Sequence, residues 1–491
     1  MSGDGVAPTP PNGTPLGGES SGSLRQRALR GGAFMVGREG IGVAIRFVGL
    51  TLVVRLIGPA SYGVYAAAAA FVAVAALSAQ GGAEVFLIRQ RTEPSSDLYA
   101  QAFTYLLVAS VVVTAVSIGL SFAAKVVVRS EADLDVFRVL VLSVPVNVLW
   151  APAQAAIERR MNFAQIGTIE AIGDFVLYAV AVPLAFAHSG PWCLVAGFIA
   201  WQTWLLVASW AVSGLKPRLR WSSATSSQLV LHGTSYAASS WIDSVGALVV
   251  PVVVGSYAGA AGIGLVSFAN RIVDTASFAQ RSGWRVGIVS MSQVSDNERL
   301  RRGLEEGALL QFLVLALPFT AIAVAARGMV PVLFGHQWSP AVAVMALLGL
   351  SAVLRAPIII QTTLLYAKGR NNPVILATTI RVCAVAAASV LLVPSVGIVG
   401  YGIASLLAPV SVLYTDVIVR RHLVRFSYRA LVPFVLGLVP IMTIPLVPLP
   451  WSLLMFAPAC VVLTLRRPRQ DIARTYWLVR NALARPKPAP D

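Results

Sequence analysis

Apolar runs long enough to cross a bilayer alternate with short polar turns along nearly the whole chain. A hydrocarbon layer of about 30 Å takes roughly 20 helical residues. On that measure spans fall at 33–57, 62–83, 100–124, 136–157, 166–187 and 191–213. A second set falls at 229–254, 262–288, 307–326, 340–366, 373–394 and 397–419. Two more, 430–447 and 450–466, are rich in proline (Pro433, Pro440, Pro445, Pro448, Pro450, Pro458) and less sharply bounded. The pattern predicts an all-α polytopic membrane protein with about fourteen transmembrane helices. An even count puts both ends of the chain on the same side.

Composition supports this reading. A soluble domain carries about a quarter charged residues, whereas this chain of 491 residues has 12% charged and 57% hydrophobic residues. Its mean hydropathy is +0.75. The net charge of +17 calls for no nucleic acid, because cytoplasmic loops of membrane proteins collect Lys and Arg. Cys193, Cys383 and Cys460 lie far apart in apolar segments, and His188, His232, His336 and His422 are equally scattered. They offer neither a disulfide framework nor metal-ligand spacing. No catalytic residue, metal or cofactor is expected, and no soluble catalytic domain fits between the spans.

The stretch from Met1 to about Ser23 is rich in Gly, Pro, Ser and Thr and should be disordered. It lacks the basic region followed by an apolar core that marks a signal peptide. Arg25, Arg27 and Arg30 then precede the first span, which points to a cytoplasmic amino end. Alternate loops carry Arg89/Arg91, Arg159/Arg160, Lys216/Arg218/Arg220, Arg299/Arg301/Arg302, Lys368/Arg370 and Arg420/Arg421/Arg425/Arg429. With the two tails, about 26 of the 38 basic residues fall on one side, against Lys125, Arg129 and Arg327 on the other. A wrong span count would scatter this bias, so both termini are expected in the cytoplasm.

The chain also repeats itself. Ile57-Gly58-Pro59-Ala60-Ser61-Tyr62-Gly63 and Ala258-Gly259-Ala260-Ala261-Gly262-Ile263-Gly264 join corresponding pairs of spans, and their outer glycines match at an offset of 201. Ala151-Pro152 matches Ala356-Pro357 at an offset of 205, each followed by a basic turn. Six spans is an even offset, so both halves run the same way, as in transporters with parallel repeats. The glycines permit tight turns and close helix approach, although turn chemistry alone would explain them. The expected layout is a disordered tail at 1–30, six-helix bundles at 31–222 and 223–425 around a central cavity, and two added helices with a basic tail at 426–491.

Charges inside the spans carry the candidate chemistry. Near mid-bilayer each costs about 2.5–3.5 kcal/mol or more, so it must face protein or a watery cavity. On one helical face lie Arg271, Asp274, Arg281 and Arg285, with Phe278 among them. Three cations against one anion leave that stripe unneutralised; it reads either as the wall of an anion pathway or as an internally paired structural cluster. Arg38, Glu39, Arg46 and Arg55 lie in the first span, where Glu39 and Arg46 share a face. Glu84 lies in the second span, Glu170 and Asp174 in the fifth, Asp243 in the seventh, and Arg355, Arg381 and Asp416 in the tenth to twelfth. Arg46, Arg271, Arg281, Arg285, Arg355 and Arg381 form the anion-contacting set, since guanidiniums give bidentate bonds and permanent charge to pyrophosphate. Glu39, Glu84, Glu170, Asp174, Asp243 and Asp274 are candidates for internal ion pairs or for a coupling cation. Glu170 and Asp174, one turn apart, could form a proton site or pair with arginines of neighbouring spans.

At these residues the chain resembles the Wzx-like oligosaccharide flippases, the polysaccharide-transporter branch of the multidrug/oligosaccharidyl-lipid/polysaccharide (MOP) exporter superfamily. The resemblance rests on Val54-Arg55-Leu56-Ile57-Gly58-Pro59-Ala60-Ser61-Tyr62-Gly63-Val64-Tyr65, and on Val253-Val254-Gly255 through Gly264-Leu265-Val266-Ser267-Phe268-Ala269-Asn270-Arg271-Ile272-Val273-Asp274. Asp296-Asn297-Glu298-Arg299-Leu300-Arg301-Arg302 is also similar, and Val266-Ser267 departs from the usual Tyr-Ser. It implies a bacterial inner-membrane protein that moves undecaprenyl-pyrophosphate-linked repeat units to the outer leaflet for exopolysaccharide, capsule or O-antigen (lipopolysaccharide) synthesis. Its partners would be that lipid-linked glycan, the lipid bilayer and polysaccharide polymerase or export machinery. Alternating access would rock one bundle against the other.

Other readings stay open. The same architecture would serve a peptidoglycan-type or other polyprenyl-linked precursor. A cationic-drug antiporter fits poorly with an unpaired arginine stripe. A membrane glycan polymerase or glycosyltransferase would devote a long external loop to sugar chemistry, and the external loops near 125–135 and 327–339 are short.

Overall fold

The structure, a computed structural model, describes residues 21–90, 92–124, 131–160, 162–277, 297–448 and 450–464. Helices make up every regular element among them, as hydrocarbon requires of a chain whose backbone must satisfy its own hydrogen bonds. The first six are α1 (Ser21–Gln80), α2 (Ala83–Arg89), α3 (Ser96–Ala124), α4 (Glu131–Leu142), α5 (Val144–Val148) and α6 (Ala151–Arg159). Then come α7 (Phe163–Phe186), α8 (Trp192–Ser213), α9 (Ser223–Ala247) and α10 (Gly255–Ala276). The remainder are α11 (Asn297–Phe334), α12 (Ala341–Ala367), α13 (Asn372–Val396), α14 (Ile398–Ser405), α15 (Val410–His422), α16 (Val432–Met442) and α17 (Ala457–Thr464). Nine helices among the described residues are long and apolar enough to cross a membrane, or ten with the bent pair Asp133–Leu142 and Val144–Arg159.

Several boundaries differ from the hydropathy reading. Helix α1 reaches back to Ser21, so residues 21–30 of the expected disordered tail are helical; Leu, Arg, Gln and Ala in this stretch all favour a helix. The fourth expected span breaks into α4, α5 and α6 with a 43° bend. Pro145 and Pro152, at the starts of α5 and α6, cannot continue the preceding helix's hydrogen-bond ladder. Prolines also shorten the last two expected spans, leaving only Val432–Leu446 and Trp451–Val462 as apolar stretches.

Two glycine turns organise the centre. Gly58 (φ 75°) interrupts α1 before Pro59, and Gly259 (φ 62°) interrupts α10; both conformations suit glycine far better than any residue with a Cβ. Beyond these breaks α1 and α10 cross in backbone contact. A Cβ on Gly63 would lie 2.8 Å from Gly264 N and closer still to the Ala260 carbonyl oxygen. Reciprocally, a Cβ on Gly264 would overlap the Pro59 carbonyl. Next to this crossing Trp338, fully buried, donates its indole N–H to the Val54 carbonyl at 3.2 Å. Its ring stacks near Phe268 (4.6 Å) and Tyr62 (5.8 Å). Arg55 caps the Val332 carbonyl at 2.8 Å, and Gln337 donates to the Arg55 carbonyl at 3.2 Å. One apolar core unites α1, α7, α10, α11 and α12 here, while a second gathers the later half of α1 with α2 to α6.

Candidate functional site

Helix α7 presents Asp174 and, one turn later, Tyr178 toward the first half of α1. Arg46 of α1 donates to Asp174 at 2.7 Å. The Asp174 side chain is 11% exposed and that of Arg46 24%, so the pair sits in a protected but reachable place. Gly49, one turn beyond Arg46, is what lets Tyr178 approach: a Cβ there would overlap the tyrosine ring.

Arg271 of α10 reaches the same spot from the other side. It lies within electrostatic range of Tyr178, Tyr62 and Tyr65. Arg271 and Asp274 are exposed while Ile272 and Val273 between them are buried, so these two polar residues share a face of α10. No carboxylate stands at ion-pair distance from Arg271 among the described residues.

A second group completes the cluster. Arg381 of α13 forms an ion pair with Asp243 of α9. Arg355 of α12 lies in the field of Arg381, Asp243, Asp274 and Tyr401, and Tyr401 of α14 hydrogen-bonds Asn270. The Arg355 Nε is buried without a hydrogen-bond partner. Asp274 acts on Arg271 and Arg355 alike, which joins the two groups into one. Four guanidiniums thus share the region with three carboxylates, Asp174, Asp243 and Asp274. Desolvation makes an unpaired guanidinium expensive there, and an incoming anion would relieve it.

The remaining candidates stand elsewhere. Arg281 and Arg285, with Phe278, lie outside the described residues, as does the side chain of Glu39. Glu84 is not in the second apolar span, which ends at Gln80, but on the short helix α2 past the Gly81–Gly82 turn. Burial, with the carboxylates of Glu158 and Glu170, pushes it up to about 7. Glu170 is exposed and within the field of Glu84, whereas Asp174 turns to Arg46; these two acids of α7 serve different surroundings. Asp416 pairs with Arg420 one turn on, at 2.6 Å. Sequence reasoning missed Tyr178, Tyr401 and Asn270 as site residues. The available signal was polar aromatic residues inside spans whose other members are apolar, with Tyr178 four residues after Asp174.

This arrangement, a helical membrane domain with arginines gathered from both halves of the chain, has the fold of the MOP-superfamily transporters. The solved lipid II flippase MurJ in an inward closed conformation matches with a TM-score of 0.66 at 12% identity, covering 91% of this chain and 100% of that one. An inward-facing multidrug-resistance MATE transporter of the MOP superfamily matches with a TM-score of 0.64 at 12% identity, covering 78% and 98%. Residues 52–343 match the polysaccharide biosynthesis protein family, and the chain belongs to it. A relative, the succinoglycan biosynthesis transport protein ExoT of Rhizobium meliloti (strain 1021), is 24% identical over 335 residues, which make up 68% of this chain and 67% of ExoT.

Proposed function

We propose that this chain is a flippase carrying an undecaprenyl-pyrophosphate-linked oligosaccharide repeat unit from the inner to the outer leaflet of a bacterial cytoplasmic membrane. It is a transporter and not an enzyme. The observation that carries the reading is Arg355, whose buried Nε makes no hydrogen bond among the described residues and which lies in the field of Arg381. Pyrophosphate supplies the negative charge and multiple acceptors such a group lacks. Sugars and pyrophosphate would occupy the charged interior while the polyprenyl chain stays in lipid.

In this reading Gly58 and Gly259 each separate two crossings. With the bent pair and the two shorter apolar helices, the total becomes about fourteen. The matching glycine breaks and the reciprocal Gly63–Gly264 contact support two bundles, at 31–222 and 223–425, related by a parallel repeat. Both termini would be cytoplasmic. The contacts of Trp338, Gln337 and Arg55 would close the outer side, and rocking about the glycine crossing would give alternating access. Polymerase or export machinery would take up the delivered unit. A peptidoglycan-type precursor is the second reading, favoured by the likeness to MurJ in fold; family membership and the relation to ExoT favour the polysaccharide unit.

The test is the fate of lipid-linked oligosaccharide in cells lacking the protein. Complete repeat units should accumulate on the cytoplasmic leaflet, and their sugars would identify the cargo. Re-expressed Arg271→Gln/Arg355→Gln protein should insert normally and leave the units trapped. Normal export by that stably inserted variant would refute the cationic pathway.

A further inference from the structure

A second polar pocket lies outside the charged cluster and shares no residue with it. Its volume is about 330 Å³, and it is bounded by the start of α3, the end of α6 and Leu215 after α8. Ser96 opens α3, a helix of 29 residues; Ser95 just before it takes the Leu98 and Tyr99 amides, which leaves those of Ser96 and Asp97 without intrahelical partners. Tyr99, one turn in, is only 6% exposed and lines the pocket, and its hydroxyl makes no hydrogen bond among the described residues, so it can donate to a molecule bound there.

The two arginines of the pocket do different things. Arg159 is largely committed: Nη1 donates to the carbonyls of Leu87, Ile88 and Gln90 and Nη2 to that of Thr92, at 2.7 to 3.2 Å. It contributes charge and fixes the chain that forms the pocket wall. Arg160 is exposed and makes no hydrogen bond or ion pair among the described residues, so its donors are free. Both act on the Tyr99 hydroxyl, as does Glu93. Two guanidiniums against one carboxylate suit a singly charged anion better than a dianion. Pro94, Ala156 and Leu215 give the pocket an apolar wall as well.

We propose that this pocket binds the phosphodiester of an anionic bilayer phospholipid. The phosphate would accept from Arg160, the Tyr99 hydroxyl and the free amides at Ser96, while the glycerol lies against Ala156 and Leu215. These residues adjoin the basic turns, which the charge bias assigns to the cytoplasmic side, where anionic lipids concentrate. A lipid there would tie the ends of α3 and α6 together. The inference does not depend on which molecule is carried across.

The full chain, purified in a neutral detergent, tests this by thermal unfolding during titration with phosphatidylglycerol, phosphatidylcholine or inorganic phosphate. Phosphatidylglycerol should raise Tm saturably, and the other two should not. Arg160→Gln should raise its half-saturating concentration at least tenfold, and Tyr99→Phe several-fold. Lys216→Gln, an exposed basic change outside the pocket, should leave it unchanged. Native mass spectrometry should show one retained phosphatidylglycerol lost in Arg160→Gln. An unaltered titration in the exposed-site variant Arg160→Gln would overturn the proposal. So would inorganic phosphate reproducing the whole shift, which would make the pocket a free-phosphate site.

Discussion

Replacing Gly63 by alanine tests how the two halves of the chain are held together. The added methyl would meet Ala260 C and Gly264 N at 2.8 Å, with the Ala260 carbonyl oxygen closer. Ordinary carbon contacts are about 3.5–4.0 Å, so α1 and α10 must separate by about 1 Å. Every opposing atom belongs to the backbone, and no rotamer change can absorb the displacement. Overpacking costs about 1–3 kcal/mol, and the rigidity of this contact argues for the upper half of that range. A cost of about 2–3 kcal/mol corresponds to roughly 30- to 150-fold more molecules with the crossing open. A thiol at position 54 reports on it, because Val54 is fully buried and its carbonyl accepts from Trp338. In a background lacking Cys193, Cys383 and Cys460, Val54→Cys should react with a maleimide about 30 to 150 times faster when Gly63→Ala is added. Gly119→Ala is the control, since a Cβ there meets nothing within 4 Å; it should leave labelling unchanged. Gly264→Ala should act on the same contact, so the double variant should show less than the sum of the two effects. Equal labelling and equal Tm in Gly63→Ala and the wild type would refute the reasoning.

Two further changes probe the charges. Asp174→Asn removes the carboxylate that Arg46 bonds at 2.7 Å and should destabilise by about 2–3 kcal/mol, at or below the lower edge for broken buried pairs because Arg46 keeps 24% of its side chain exposed. Adding Arg46→Gln should recover most of that loss in thermal unfolding; no recovery would mean the pair is not coupled. Glu84 takes up its proton with a folded value of about 7 against an ordinary 4.5. Below about 4.5 it is protonated folded or unfolded, and between 4.5 and 7 only the folded form keeps the proton. Its contribution therefore lowers stability as pH rises through that window. Glu84→Gln should flatten the decline, and an identical pH profile in the variant would count against the burial argument.

Much of the outline was legible from residues alone. Lipid imposes helices on any chain that must satisfy its backbone unaided, so hydropathy located the spans. Pro145 and Pro152 were equally visible, yet how far they bend the chain depends on packing around α4 to α6. The face shared by Arg271 and Asp274 followed from helical geometry, and the buried Ile272 and Val273 between them agree with it.

What the sequence could not supply was which charges meet. Glu170 and Asp174 are one turn apart on α7, but Asp174 finds Arg46, 128 residues earlier, while Glu170 lies in the field of Glu84. Arg381 finds Asp243 across 138 residues, and the buried Nε of Arg355 finds no hydrogen-bond partner among the described residues. Ion pairing is decided by distances between helices, which periodicity along one helix does not contain. The sequence by itself determined that this is a helical membrane protein with arginines and carboxylates set inside its apolar segments. Tertiary structure decided that α1 and α10 cross at Gly63 and Gly264, because only packing brings two backbones together where neither carries a side chain.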